Sequence, residues 1–278
     1  MLAKNYFRPI VHSYWKFRNG VDIYLGNRSK HMVICGYPRS GTSLLYNMIS
    51  ASIGGFHCEK FEKRAIERLH RPGNYVTKFP LDILNVEEIL NANVLFKDIY
   101  FLVCIRDVRD LITSRHPLVP DEYFIGYKNS LWPANPQFTE WRHNAPGIEA
   151  IYKAINACSS VQGINMLKVR YENLICDTRR TQEEIEKFLG LKFSGSFSDY
   201  HKRGHKHAYK YSGRYLAKDA SLVRESSQID IGRIAKWRSP DHKRIIDQQF
   251  SQYPELFEIL VGDGYEKNNE WFSSELMK

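Results

Sequence analysis

Short apolar runs rich in β-branched residues alternate along this chain with segments whose apolar positions recur at helical spacing. The runs predict strands over 31–36 (His-Met-Val-Ile-Cys-Gly), 75–79, 99–105 and 165–170. The helical spacing predicts helices over 42–53, 59–69, 107–115 and 179–189. The last is stopped by Gly190, because glycine enters the left-handed region that ends helices at little steric cost. Strands and helices in alternation predict an α/β fold, a central and mainly parallel sheet with helices on its faces. No repeat, low-complexity tract or linker divides the chain, so a single domain over 1–278 is expected, with its core at about 31–191.

Two stretches break the alternation. Residues 117–147 set Pro117, Pro120, Pro133, Pro136 and Pro146 among Tyr123, Phe124, Tyr127, Trp132, Phe138 and Trp141, and predict a long loop followed by helix. Residues 194–228 are rich in Gly, Ser, His, Lys and Tyr, and a lid over cofactor and substrate is expected over about 194–240. Loops longer than ~12–15 residues inside a compact domain are usually functional or disordered, which makes both stretches candidate substrate walls.

Composition narrows the class. With 278 residues, 43% hydrophobic and 26% charged, the chain is neither disordered, nor collagen-like, nor a disulfide-stapled miniprotein. Forty basic against 31 acidic residues give a net charge of +9, which points to nucleic acid, an anionic membrane surface or a small polyanionic ligand without choosing among them. Cys35, Cys58, Cys104, Cys158 and Cys176 are odd in number, far apart and without CxxC pairing, as in a reducing compartment. Lys4 and Arg8 stand where a signal peptide needs its apolar core, and no run approaches the roughly 18 apolar residues of a membrane span. A soluble, cytoplasmic protein is expected. His201, His205 and His207 lie without a nearby Cys or paired-carboxylate pattern, so no metal site is expected.

Chemistry concentrates where the first strand runs into the first helix, at Gly36-Tyr-Pro-Arg39-Ser40-Gly41-Thr42-Ser43. A strand, a glycine-containing turn and a helix N-terminus present backbone N–H groups to an anion. Gly36 and Gly41 have the spacing of a Walker A loop, but Thr42 stands where that loop needs its lysine, which disfavours an ATPase or a nucleoside or sugar kinase. Arg39, inside the loop, offers a planar, permanently charged fork to a bridging or terminal oxygen.

The segment Tyr37-Pro-Arg-Ser-Gly-Thr-Ser43 resembles the loop of the PAPS-dependent sulfotransferases that holds the 5′-phosphosulfate of 3′-phosphoadenosine 5′-phosphosulfate (PAPS). Phe101-Leu-Val-Cys-Ile-Arg106, with Ser114 eight residues on, resembles the family's site for the 3′-phosphate of the donor. Val169-Arg-Tyr171-Glu-Asn-Leu, followed by Phe188-Leu-Gly-Leu191, resembles the family's "RYEDL … FLGL" segment, whose tyrosine lies near the nucleotide. The three blocks occur in the family's order and spacing. The resemblance is to P-loop sulfotransferases of the bacterial carbohydrate, small-molecule and tyrosylprotein kinds, and it implies a P-loop, nucleotide-kinase-like fold. It assigns Arg39, Ser40, Gly41, Thr42, Ser43, Arg106, Ser114 and Tyr171 to the donor. A weaker match at Ile231-Gly-Arg233-Ile-Ala-Lys236-Trp237 adds Arg233 and Lys236.

Sulfuryl transfer needs an acceptor aimed in line at sulfur, a base for its proton and positive charge on the leaving oxygen. The resemblance places Arg39 on the sulfonate and leaving oxygen. Where many soluble members carry a histidine base, Val76-Thr-Lys78-Phe-Pro80 carries Lys78, which suits a cationic stabiliser better than a base. Other members use a glutamate about one helix past the loop. Glu59, twenty residues after Arg39, is the candidate here, followed by Glu62 and then His57. The reaction implied is sulfonate transfer from PAPS to a hydroxyl or amine of a small-molecule or glycan acceptor, releasing adenosine 3′,5′-bisphosphate, with no metal. The rival is a basic nucleic-acid-binding protein using the same loop on a backbone phosphate, although the chain carries no nucleic-acid-binding motif. Lys202, Arg203, Lys206, Lys210 and Arg214 supply charge that would cover the nucleotide or attract an anionic acceptor.

Overall fold

The computed structural model describes residues 28–59, 62–114, 124–135, 138–161, 163–202 and 231–272. Five parallel strands form the central sheet: β1 (Lys30–Gly36), β2 (Phe56–Cys58), β3 (Asn74–Lys78), β4 (Asp98–Ile105) and, later in the chain, β8 (Asn165–Arg170). Their order is β2-β3-β1-β4-β8, with Ile34 opposite Lys78 on one side and opposite Leu102 on the other. β1 is central because it can be buried on both faces. Met32, Val33, Ile34 and Cys35 have no exposed surface, as a continuous apolar run in a parallel sheet requires.

The side-chain period of two sorts the same strands into two cores. Val33, Cys35, Phe101, Val103 and Ile105 face a layer built by helices α3 (Val108–Ile112), α4 (Ile148–Ser159), α7 (Pro240–Gln252) and α8 (Glu255–Gly262). Met32, Ile34, Leu102 and Cys104 face α1 (Thr42–Ser52), α5 (Tyr171–Cys176) and α6 (Thr178–Leu189). The expected α/β architecture, with a parallel sheet between helices, is what the chain adopts. A further short helix, α2 (Val86–Asn91), follows the 3₁₀ turn Pro80–Asn85.

Two expectations are corrected. Of the expected helix over 59–69, the described residues, 59 and 62–69, are not α-helical. Residues 62–64 are irregular and Ala65–Glu67 make one 3₁₀ turn, because tertiary partners take their backbone: the N–H of Lys63 donates to the carbonyl of Lys78 (3.2 Å) and that of Ala65 to the carboxylate of Asp82 (2.8 Å). The part of 117–147 that is described is not a loop but an antiparallel sheet of β5 (Phe124–Ile125), β6 (Asn129–Asn135) and β7 (Phe138–Pro146). Register shifts fall between Ser130 and Trp132 and between Pro133 and Asn135, and such irregularities are where a strand tolerates proline. Of the expected lid, 203–230 lies outside the described residues, and with it Arg203, His205, Lys206, His207, Lys210 and Arg214.

Candidate active site

The loop between β1 and α1 is shaped by three residues with positive φ. Gly36 (φ 119°) leaves the sheet so close to β4 that a Cβ there would overlap the carbonyl of Cys104. Arg39 has φ 67°, and Gly41 (φ 89°) is the N-cap of α1. Beneath them the Tyr37 N–H donates to the Cys104 carbonyl (3.1 Å). The buried Ser40 hydroxyl lies 2.6 and 2.9 Å from the carbonyls of Tyr37 and Cys104, so this side chain braces the loop against the sheet. The leading N–H groups of α1, at Thr42, Ser43 and Leu44, have no acceptor within the helix and no side-chain cap, and they face the loop with the positive end of the helix dipole.

Above the loop the sequence blocks converge. Arg39 Nε donates to Ser114 Oγ at 3.1 Å. Arg106, only 6% exposed, leaves the end of β4 and donates to the carbonyls of Arg39 (3.1 Å) and Arg233 (2.5 Å). Its guanidinium lies 4.3 Å from the ring centroid of Tyr171, while its buried Nε–H has no hydrogen-bond partner among the described residues. Tyr171 packs on the loop from the other side, its Cδ2 2.5 Å from where a Cβ of Gly41 would stand. Asp110 closes the group. Its carboxylate lies 3.5 Å from Arg106 and accepts the N–H groups of Ala235 (2.9 Å) and Trp237 (3.1 Å). Burial pushes the Asp110 carboxyl above its usual range, against the opposing pull of Arg106 and the two amides.

A second group forms where β3 ends. Lys78, 2% exposed, donates to Ser43 Oγ at 2.8 Å and is ion-paired with Glu62. Burial pushes its ammonium below the usual lysine range, Glu62 opposes that, and Arg39 adds to it, so the two cations sense one another. Glu59 is elsewhere engaged. Its carboxylate is paired with Arg68, and its backbone carbonyl accepts the Tyr46 hydroxyl. His57 is exposed and stacks on Tyr75 at 4.9 Å.

The fold thus brings Arg39, Arg106, Ser114, Tyr171 and Arg233 into one group, and Ser43, in the first turn of α1, with Lys78 and Glu62 into another. Thr42 is buried at the first helical position, and Lys236 is exposed beside the amides that Asp110 holds. The i,i+4 spacing of Asp110 from Arg106 fits an ordinary helix ion pair and gives no sign of the two amides, at Ala235 and Trp237, that the same carboxylate accepts.

Comparison with known proteins now decides the family. The sequence model of the family described as "Sulfotransferase domain" matches residues 29–263. The chain belongs to the sulfotransferase family. Among solved structures, this sulfotransferase is similar to the sulfotransferase domain from the Synechococcus PCC 7002 olefin synthase, at 18% identity and a TM-score of 0.45 over 80% of this chain and 94% of that one. It is also similar to the sulfotransferase domain from the curacin biosynthetic pathway, at 16% identity and a TM-score of 0.45 over 80% of this chain and 97% of that one. No curated protein matches the sequence. Sulfotransfer implies an acceptor substrate. Among the described residues of the sulfotransferase, no helix is long and apolar enough to cross a membrane.

Proposed function

We propose that the enzyme takes its sulfonate from PAPS and passes it to a hydroxyl or amine of a small-molecule or glycan acceptor, releasing adenosine 3′,5′-bisphosphate. The observation that carries this reading is Arg106, a buried guanidinium stacked on an aromatic ring with one N–H donor unpartnered and the Arg39–Ser114 pair beside it. A buried N–H donor left without an acceptor costs free energy, which an anion accepting it recovers. The donor carries two anionic ends, and the two groups of side chains supply cations to meet each of them. In this reading Arg106 and Ser114 hold the 3′-phosphate, Tyr171 stacks beside the nucleotide, and Arg233 and Lys236 cover it. The α1 N-terminus with Arg39 holds the 5′-phosphosulfate.

The chemistry asked of the chain is modest. Arg39 and Lys78 meet the negative charge that grows on the bridging oxygen as the S–O bond to the nucleotide breaks. A carboxylate removes the proton of the acceptor as its oxygen or nitrogen bonds to sulfur. Glu62 is assigned that role here, ahead of Glu59, because it touches Lys78 and through it Ser43, whereas the carboxylate of Glu59 is occupied by Arg68. Lys78 then exchanges Glu62 for the sulfonate when the donor arrives, which frees the base. All five cysteines are free thiols, consistent with a cytoplasmic setting.

The test has two arms. Calorimetry should give micromolar or tighter binding of adenosine 3′,5′-bisphosphate, and a mass-shift screen of acceptors with PAPS should yield a sulfated product. No nucleotide binding at high micromolar concentration would end the reading. Nucleotide affinity that falls steeply with salt and shows no preference for the 3′-phosphate would point to the nucleic-acid alternative.

A further inference from the structure

We infer that Asp110 is a positioning residue that couples recognition of the 3′-phosphate to the docking of the chain segment 231–239. The inference rests on the donor reading given above and goes beyond it. Asp110 sits in α3, one turn past Arg106, and its side chain is fully buried. One carboxylate serves three donors. Oδ2 accepts the Ala235 N–H at 2.9 Å and stands 3.5 Å from Arg106 Nη2, and Oδ1 accepts the Trp237 N–H at 3.1 Å. The same Nη2 donates to the carbonyl of Arg233 at 2.5 Å. A short circuit therefore runs from Arg106 to Arg233, along the backbone to Ala235 and Trp237, and back through Asp110 to Arg106.

The backbone conformation shows that this segment is held rather than merely adjacent. Ala235 has φ 56°, in the region that non-glycine residues seldom occupy, and its N–H is one of the two that Asp110 accepts. The neighbouring residue Arg109 fixes the same segment by a different contact. Its guanidinium lies 3.9 Å from the ring of Trp237 and 4.4 Å from that of Trp271, and its charge is matched by Asp107 and Glu266. Arg109 thus anchors the segment without touching Arg106, whereas Asp110 touches both. A carboxylate that orients Arg106 and fixes the amides beside Arg233 and Lys236 determines whether these cations meet a phosphate at the position Arg106 presents. Neutralising it leaves Arg106 tied to the Arg233 carbonyl but no longer aligned from below.

The experiment compares adenosine 3′,5′-bisphosphate with adenosine 5′-monophosphate, so that the 3′-phosphate is the only variable. In Asp110→Asn the ratio of the two affinities should fall by about tenfold or more, the loss of a charge-assisted contact. The KM for PAPS should rise while kcat at saturating donor is largely kept. A purely structural role would lower both affinities together, or lower the melting temperature alone, and a wild-type ratio in Asp110→Asn overturns the inference. If Asp110→Asn does not fold, hydrogen exchange on the wild-type protein decides. The Ala235 and Trp237 amides should be protected by the bisphosphate more than by the monophosphate, and equal protection overturns the inference. A wild-type enzyme that does not prefer the bisphosphate overturns the donor reading, and this inference with it. A wild-type preference kept intact in Asp110→Asn overturns the inference alone.

Discussion

The ring of Tyr171 occupies the space that a side chain at Gly41 would need: a Cβ there would stand 2.5 Å from Tyr171 Cδ2. The residue that starts helix α5 is thereby packed against the N-cap of α1, and an aromatic face closes the loop between β1 and α1. Gly41→Ala should therefore meet two costs, the left-handed φ of 89° at about 1–2 kcal/mol and the overlap with Tyr171. Thermal melts should show Gly41→Ala destabilised, and Gly41→Ala with Tyr171→Ala should recover the overlap part only. Full recovery in the double variant would mean that the backbone is not strained by the change.

Glu62 and Glu59 separate by their partners, so they should separate in kinetics. Glu62→Gln is expected to lower turnover about 10²–10⁴-fold with nucleotide affinity kept, as for loss of a general base. Glu59→Gln breaks the pair with Arg68 and should keep turnover while lowering the melting temperature. Steady-state rates and melting curves on both variants check this, and the opposite pattern would return the role to Glu59.

Asp82 should make stability depend on pH. Its side chain is buried, accepts the Ala65 N–H, and is pushed up to about 7, chiefly by burial. That lies above the value of about 4 in an unfolded chain, so the folded protein keeps a proton that the unfolded one has released. The stabilisation is fully present below about pH 4 and is lost as pH rises through about 7, with a size on the order of a few kcal/mol. Asp82→Asn keeps an acceptor for Ala65 and should flatten the urea-derived stability profile between those limits. An unchanged slope would remove Asp82 as its source.

Arg109 should be worth more to the fold than to the chemistry. Arg109→Met would leave Asp107 and Glu266 without their shared cation and Trp237 and Trp271 without the charge between them. A loss of about 3–5 kcal/mol is expected from uncompensated buried charge. Denaturant titration checks it, and a cost within experimental error would show that the two carboxylates find water instead.

The central strands β1 and β4 were legible because they are buried on both faces and so read as nearly unbroken apolar runs. Val33 and Ile34 face opposite cores, yet no polar residue interrupts them. The loop was legible because Gly36 and Gly41 do work that only glycine does cheaply. The helix expected over 59–69 failed because Asp82 and Lys78, far along the chain, claim its backbone. The strands within 124–146 were hidden because Pro133 and Pro146 usually end strands, and only the irregular register shows how they are accommodated. In the site, Arg39 was legible from its place in the glycine loop, and Arg106 and Ser114 from the resemblance of their block to the family's. The pairing of Lys78 with Glu62 was not, since it depends on how the loop after β2 curls back to the end of β3.

The carbonyls of Arg39 and Arg233 that hold Arg106 also bear on how fast the enzyme can cycle. On the proposed reading, a bisphosphate leaving Arg106 does not strip the guanidinium bare, because the carbonyls of Arg39 and Arg233 and the Asp110 carboxylate stay in place around it. The partners that fix its position would then also lower the cost of emptying the site, and tight recognition of a doubly phosphorylated nucleotide would not make its escape the slow step.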